Sequence, residues 1–386
     1  MKNIAGQEMT ESAVLALDTI LQKPTRGIPT GTLIHVMEHA QIERLAGAEP
    51  GSYIRDPDTT YIAMQRALGV CLLDQYLAHN PLRMDHDGYK GTAGEGRTAT
   101  TGADVIECDG MVIDSAEAVV EHMERFLLPG IERRIAEFDA EARVREIIER
   151  ERTIQERIGP GILKTLHGAV DFPGLHYGTY GYVHYFTAYA LYPEVMERCF
   201  SIQADLAVLN NRAVARAYHQ AGLPPLCRLD HDIADSRGTL ADEKSLDRIW
   251  LPHFARALEP LLATDLRMIW HCDGNLMAMV PRFLDVGLHG FQGFQYEDGM
   301  DYEKICRMRT RDGDGLILMA GVSVTRTLPM GTPADVKKEL RWLVDNGPQT
   351  GLFLCASSSI TPGVPAANLD ALAEGLEHYR VHGRSG

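Results

Sequence analysis

The sequence predicts an α/β protein of the (β/α)8 TIM-barrel class, with an N-terminal helical extension and an inserted hairpin. Three observations carry that expectation. Short apolar strands alternate with amphipathic helices along most of the 386 residues, the pattern of a parallel sheet with right-handed crossovers. About eight such units fit this length, which favours a closed barrel over an open sheet. No GxGxxG follows the first strand, so a dinucleotide-binding fold has no support. The simplest division is a single domain over 1–386, with 80–114 as the insertion.

Taken in order, residues 11–21 carry a helical pattern, and a Pro/Gly-rich passage, KPTRGIPTG, follows. An apolar segment over 33–37 ends near His39, and a helix from Ala63 leads to the strand GVCLLDQY, with Asp74 near its end. Residues 80–110 are rich in Gly, Thr and Asp. ADVIECDGMVID then alternates around Asp109-Gly110, which predicts an antiparallel hairpin. Residues 116–158 read as helix, dense in mixed charge as a solvated face is.

The rhythm then becomes regular. A strand over 162–169 leads into an aromatic loop over 171–189, and a helix over 193–222 starts with Pro193 in its first turn. The strand 226–229 ends in Asp230, His231 and Asp232, and a helix over 242–264 follows. The stretch LRMIWHCDG over 266–274 is a buried strand tipped by His271, Cys272 and Asp273, handing over to an apolar helical pattern from Leu276 to Leu284. A strand over 289–295, a helix over 302–310 and a strand over 315–324 come next. Thr332 is a good N-cap with Pro333 at the first helical position. The last strand, 352–355, runs into ASSSI, and a helix from Ala366 closes the pattern.

Composition bounds the chemistry. With 45% hydrophobic and 24% charged residues the chain is an ordinary globular one. A net charge of −15 excludes a nucleic-acid partner that binds through a basic surface. No apolar run reaches the roughly 20 residues of a membrane span, and the first residues lack a signal peptide's apolar core. The seven scattered cysteines contain no CxxC, which predicts free thiols and a cytoplasmic location.

In a barrel the C-terminal strand ends share one mouth. Asp74, His167, Asp230, Asp232, His271, Asp273, Gln295 and residues 355–359 would then ring one cavity. Imidazole and carboxylate donors at His271 and Asp273 suit zinc, and Cys355 from the last strand would add a thiolate. Strand alternation lets His271 and Asp273 face one side while Cys272 points away. The same residues also read as an acid/base pair, His271 with Asp273 or Asp232, or as groups that only hydrogen-bond one another and cap the next helix. Asp230 and Asp232 suit a metal, a base or a cationic substrate. The tyrosines of 171–189, among them Tyr177 and Tyr180, suit a pocket wall for a flat ring or a cationic methyl donor.

From about 162 to 379 the chain resembles the uroporphyrinogen decarboxylase superfamily, which includes corrinoid-linked methyltransferases. The matching pieces are HCDGN after an apolar strand, AGVSVTRTLPMGTPADVKKEL in the next unit, and LFLCASSSITPGVPAANLDAL at the end. The resemblance implies a (β/α)8 barrel with its site at the strand C-termini. True decarboxylases of that family carry an N-terminal arginine cluster and a late turn histidine. Here IPTGTLIHVMEHAQIERLAGAEPGSY has no such cluster, and Ser358 stands in the histidine's place. The branch of coenzyme M and O-demethylase methyltransferases holds zinc with a His-x-Cys pair and a later Cys. His271 matches the His, Asp273 falls where the first Cys would be, and Ser358 lies near the second, with Cys355 three residues earlier.

That branch implies an enzyme that demethylates a small methylated substrate, of methoxyaryl or methylamine type. The methyl group passes to the Co(I) corrinoid (cobalamin) of a partner protein. Zinc ligands would be His271, Asp273 and Cys355, with His271, Asp230 and Asp232 catalytic. Tyr177, Tyr180, His167, Gln295 and Ser358 would contact substrate. The alternatives are a metal-free decarboxylase or lyase of a small acid, and a non-catalytic corrinoid- or metabolite-binding protein. A homodimer is compatible with each.

Overall fold

The computed structural model describes residues 1–32, 35–79 and 106–385. In chain order its strands are β1 (Leu72–Leu73), β2 (Ile106–Cys108), β3 (Met111–Ile113), β4 (Leu163–Lys164), β5 (Leu166–His167) and β6 (Leu226–Asp230). They continue as β7 (Ala234–Asp235), β8 (Gly238–Thr239), β9 (Arg267–His271), β10 (Gly290–Gln292), β11 (Ile317–Val322) and β12 (Leu352–Ala356). A six-stranded sheet has the order β12-β11-β10-β9-β6-β5, with every pairing parallel. β1 pairs in parallel with β4, and Thr165 alone separates β4 from β5. Thr30 bridges in parallel both to Val70, just ahead of β1, and to Leu354 in β12.

β10, β11 and β12 are buried along their whole length, as parallel strands covered on both faces are. Trp270 in β9 shows which face is which. Its ring packs against Phe254 and Phe283 of the surrounding helices, with centroids 5.4 and 4.6 Å away. His271, the next residue, therefore projects to the opposite, inner face. The register then aligns Asp230, His271 and Gln292 as direct neighbours on three adjacent strands. Strand pairing alone thus sets an acid, an imidazole and an amide in one row at the strand ends.

Helices cover the outer face. The helix Pro193–Ala221 packs against Leu251–Leu262 and Ala140–Ile158, and Pro333–Asn346 packs against Ala366–His382. Thr332 is the N-cap of Pro333–Asn346 as expected, and Asp335 completes a reciprocal capping box with it. The hairpin at Asp109-Gly110 also forms. β2 and β3 pair antiparallel, and both turn residues have positive φ, 48° and 77°, the geometry of a primed two-residue turn. The remainder of the expected insertion, 80–105, lies outside the described residues. No helix among the described residues is long and apolar enough to cross a membrane.

Four local expectations change. The aromatic stretch is helical, as Tyr177–Tyr180 and Tyr182–Leu191. Gly181 at φ 77° divides the two helices. The strand expected over 162–169 is two short pieces. The helix after β9 starts only at Val280, because Gly274 takes φ 85° against the Asp235 backbone, where a Cβ would lie 2.5 Å from its carbonyl oxygen. The helix expected over 242–264 contains a π-turn, Leu246–Trp250, immediately before Leu251-Pro252. A second π-turn, Met123–Leu127, precedes Leu128-Pro129 in the same way. Proline withdraws an i→i−4 donor, and the widened turn accommodates the loss.

Candidate functional site

At the floor of the strand ends lies Arg228, whose side chain is fully buried. Strand alternation puts it on the inner face with Asp230. Its Nε donates to Asp74 Oδ2 at 2.5 Å, its Nη1 to Asp230 Oδ2 at 2.7 Å and its Nη2 to Gln75 Oε1 at 3.2 Å. The Thr32 hydroxyl also donates to Asp74. Burial raises the pKa of both acids, yet the opposing charges win. Arg228 and His167 hold Asp74 below the usual carboxylate range, while His271, His167 and Arg228 hold Asp230 well below it. His167 Nε2 sits 3.5 Å from Asp230 Oδ2.

Above this floor, Asp232, His271 and Asp273 each offer one donor atom, all within 4.8 Å of one another. Backbone and side chains fix the group. Asp273 N donates to Asp232 Oδ1 at 2.9 Å, and Gly274 N to Gln295 Oε1 at 2.6 Å. Gln295 Nε2 reaches Asp273 Oδ1 at 3.5 Å, and the Ser358 hydroxyl donates to Asp273 Oδ2 at 3.3 Å. His271 Nε2 lies 4.0 Å from Asp273 Oδ1. Burial raises the Asp273 carboxyl, which His271 opposes and the nearby Asp232 reinforces. A divalent cation would relieve that crowding of two carboxylates, and one imidazole with two carboxylates is a donor set that zinc accepts. Cys272 turns away, its thiol buried and accepting from Ile233 N at 3.4 Å.

The other sequence-predicted residues divide. Gln295 and Ser358 join the group, and His167 joins it through Asp230. Tyr177 stands at the rim, its hydroxyl donating to the Asp232 carbonyl at 2.7 Å and its ring 5.8 Å from that of His231. Tyr180 lies elsewhere: it is buried beside the hairpin, its hydroxyl 3.0 Å from His122 Nδ1. Cys355 projects from the inner face of β12 and is fully buried, which pushes its thiol up to about 12 despite a hydrogen bond from Gln292. It is not in the Asp232–His271–Asp273 group, because it stands within β12 rather than beyond the strand tip.

Sequence reading passed over Arg228 and Gln292. The available signal was alternation: Arg228 is two residues before Asp230, and Gln292 precedes the GF that leads to Gln295. The strand-end chemistry, rather than surface concavity, marks the site. A groove of about 550 Å³ between the last two long helices is lined by Lys337, Arg341, Glu374 and His378, none of them near the cluster.

The fold and site together define an α/β protein with acids and histidines at the C-terminal ends of a parallel sheet. Among solved structures, this chain is similar to a methyltransferase from Methanosarcina mazei, 16% identical over 96% of this chain and 99% of that one, with a TM-score of 0.54. The likeness shows a shared fold. A B12-independent methionine synthase from Shewanella sp. W3-18-1, in complex with selenomethionine, is also 16% identical. It aligns over 63% of this chain and 66% of that one with a TM-score of 0.30. No family model matches the chain, and no curated protein matches it.

Proposed function

We propose that this protein is a cytoplasmic methyltransferase built on a (β/α)8 barrel, closed where Thr30 bridges Val70 and Leu354. It demethylates a small methoxyaryl or methylamine substrate and passes the methyl group to the Co(I) corrinoid of a partner protein. The observation that carries the reading is the convergence of Asp232, His271 and Asp273 donor atoms within 4.8 Å at the strand ends. The fold likeness to a methyltransferase supports it.

Asp232, His271 and Asp273 would hold zinc, which supplies Lewis acidity toward the departing oxygen or nitrogen. The partner's corrinoid would supply the electron pair that accepts the methyl group, and the bond pair of the cleaved carbon–heteroatom bond would stay with the heteroatom. The chain's own residues orient these parts. Ser358 and Gln295 hold the Asp273 carboxylate, and the Asp273 amide holds Asp232. Arg228 holds Asp230 as a fixed negative charge beside His271. Tyr177 walls the rim over Asp232.

The test is methyl transfer to chemically reduced cobalamin from a panel of methoxyaryl and methylamine substrates, followed by the change in visible absorption. Turnover with at least one donor, lost in His271→Ala, supports the reading. No transfer with any donor overturns it. One observation favours a second reading, a metal-free lyase of a small acid: the raised Asp273 carboxyl would hold a proton for a carbanion. CO₂ release in the presence of chelator would select it.

A further inference from the structure

We propose that Gln292 is the positioning residue of His271, accepting from its Nδ1–H and so holding the ring with its Nε2 lone pair toward Asp232 and Asp273. The two residues are direct register partners on β9 and β10. In parallel strands such partners project to the same face, so their side chains lie side by side within the sheet's inner surface. Both are buried, at 6% exposure for His271 and 1% for Gln292.

Each keeps one buried polar atom without a partner, and the two atoms are complementary. They are Nδ1 of His271 and Oε1 of Gln292. Leaving both unmade costs each group its full desolvation penalty, whereas a shared hydrogen bond, direct or through one water, satisfies both. The other end of the Gln292 amide is already tied: Nε2 approaches the Ser357 carbonyl at 3.4 Å and donates to the Cys355 thiol. That anchoring orients Oε1 as the free acceptor, and it gives the buried Cys355 a role in holding Gln292.

Gly293 completes the arrangement. A Cβ there would lie 2.7 Å from His271 Nδ1 and 2.9 Å from the Ser357 oxygen. The missing side chain lets the backbone after Gln292 close over this edge of the ring. An imidazole that donates through one nitrogen presents the other as a lone pair, and such a partner fixes the tautomer and raises the ligand's basicity.

The inference rests on the reading that Nε2 serves the site, and its test is independent of turnover. The ¹⁵N shifts of the His271 ring, assigned by difference from His271→Gln, are read in metal-free protein at pH 8. The expected result is an Nδ1–H tautomer in wild type, lost or mixed in Gln292→Met and kept in Gln292→Glu. Competition with a chelator, using zinc alone, should show binding roughly 10–100-fold weaker in Gln292→Met, with recovery in Gln292→Glu. An Nε2–H or doubly protonated ring in wild type overturns the proposal. So does an unchanged tautomer in Gln292→Met, whatever its zinc affinity. If Gln292→Met does not fold, the wild-type tautomer and Gln292→Glu still decide. Wild-type protein that takes up no zinc would count against the metal centre alone.

Discussion

Asp74 and Arg228 form an ion pair inside the sheet, with Nε 2.5 Å from Oδ2 and the two side chains 1% and 0% exposed. Arg228 spans from Asp74, just beyond β1, to Asp230 at the tip of β6. One guanidinium therefore ties distant staves together beneath the cluster and neutralises part of its charge.

Removing that guanidinium leaves the buried Asp74 carboxylate, and the partly exposed Asp230 beside it, without their cation. Arg228→Met should lower the free energy of unfolding by about 3–5 kcal/mol, the usual cost of breaking a buried pair from one side. Adding Asp74→Asn to it should recover part of the loss. Urea unfolding of the single and double variants measures both, and a single-variant loss below about 1 kcal/mol would contradict the pairing's importance.

Buried histidines, His176 and His289 foremost, should weaken the fold as pH falls. Burial depresses His176 and His289 to about 4, while unfolded histidine titrates near 6.5. Below about pH 6.5 the unfolded chain therefore binds protons that the native state refuses, and stability falls as pH drops toward 4. Replacing His289 with Gln should flatten the stability–pH slope in that window by about one proton. An unchanged slope would show that His289 titrates normally.

Asp273 has the opposite sign. Its folded carboxyl is raised, with burial the leading cause, so the native state binds this proton more tightly than the unfolded one. The penalty is absent below the unfolded value of about 3.9 and grows as pH rises through the folded one. Metal-free Asp273→Asn should melt higher than metal-free wild type at pH 7, and the difference should vanish near pH 3. Added zinc should reverse the order, because only wild type keeps the full donor set. A lower melting point for metal-free Asp273→Asn at pH 7 would contradict this.

Gly293 is placed at φ 76° with His271 Nδ1 against it. An alanine there meets both a left-handed backbone penalty of about 1–2 kcal/mol and the imidazole edge. Gly293→Ala should lose stability by at least that amount and weaken zinc binding as well. Stability loss with unaltered zinc affinity would mean that His271 is not displaced.

Much of the framework is legible because it is written locally. The Thr332–Asp335 capping box and the Asp109-Gly110 turn depend on residues within a few positions of one another. The strand tip at His271 and Asp273 is also local, since an apolar run ends there in ligand-type side chains. The rest depends on distant partners. Tyr180 looks like a pocket residue until the fold sets it against His122. Cys355 looks like a ligand until the β11–β12 register places it opposite Gly321, within the strand rather than past its end. Arg228 and Gln292 take their meaning from Asp74 and His271, residues that only the sheet brings beside them.

The central claim is that Asp232, His271 and Asp273 form a metal centre, and zinc stoichiometry tests it most directly. Wild type and His271→Ala would be loaded with zinc, freed of excess by gel filtration and measured for metal per chain. The account predicts about one zinc per wild-type chain and its loss in His271→Ala, as expected when one of three protein ligands is removed. No retained zinc in wild type, or equal zinc in both proteins, would contradict it.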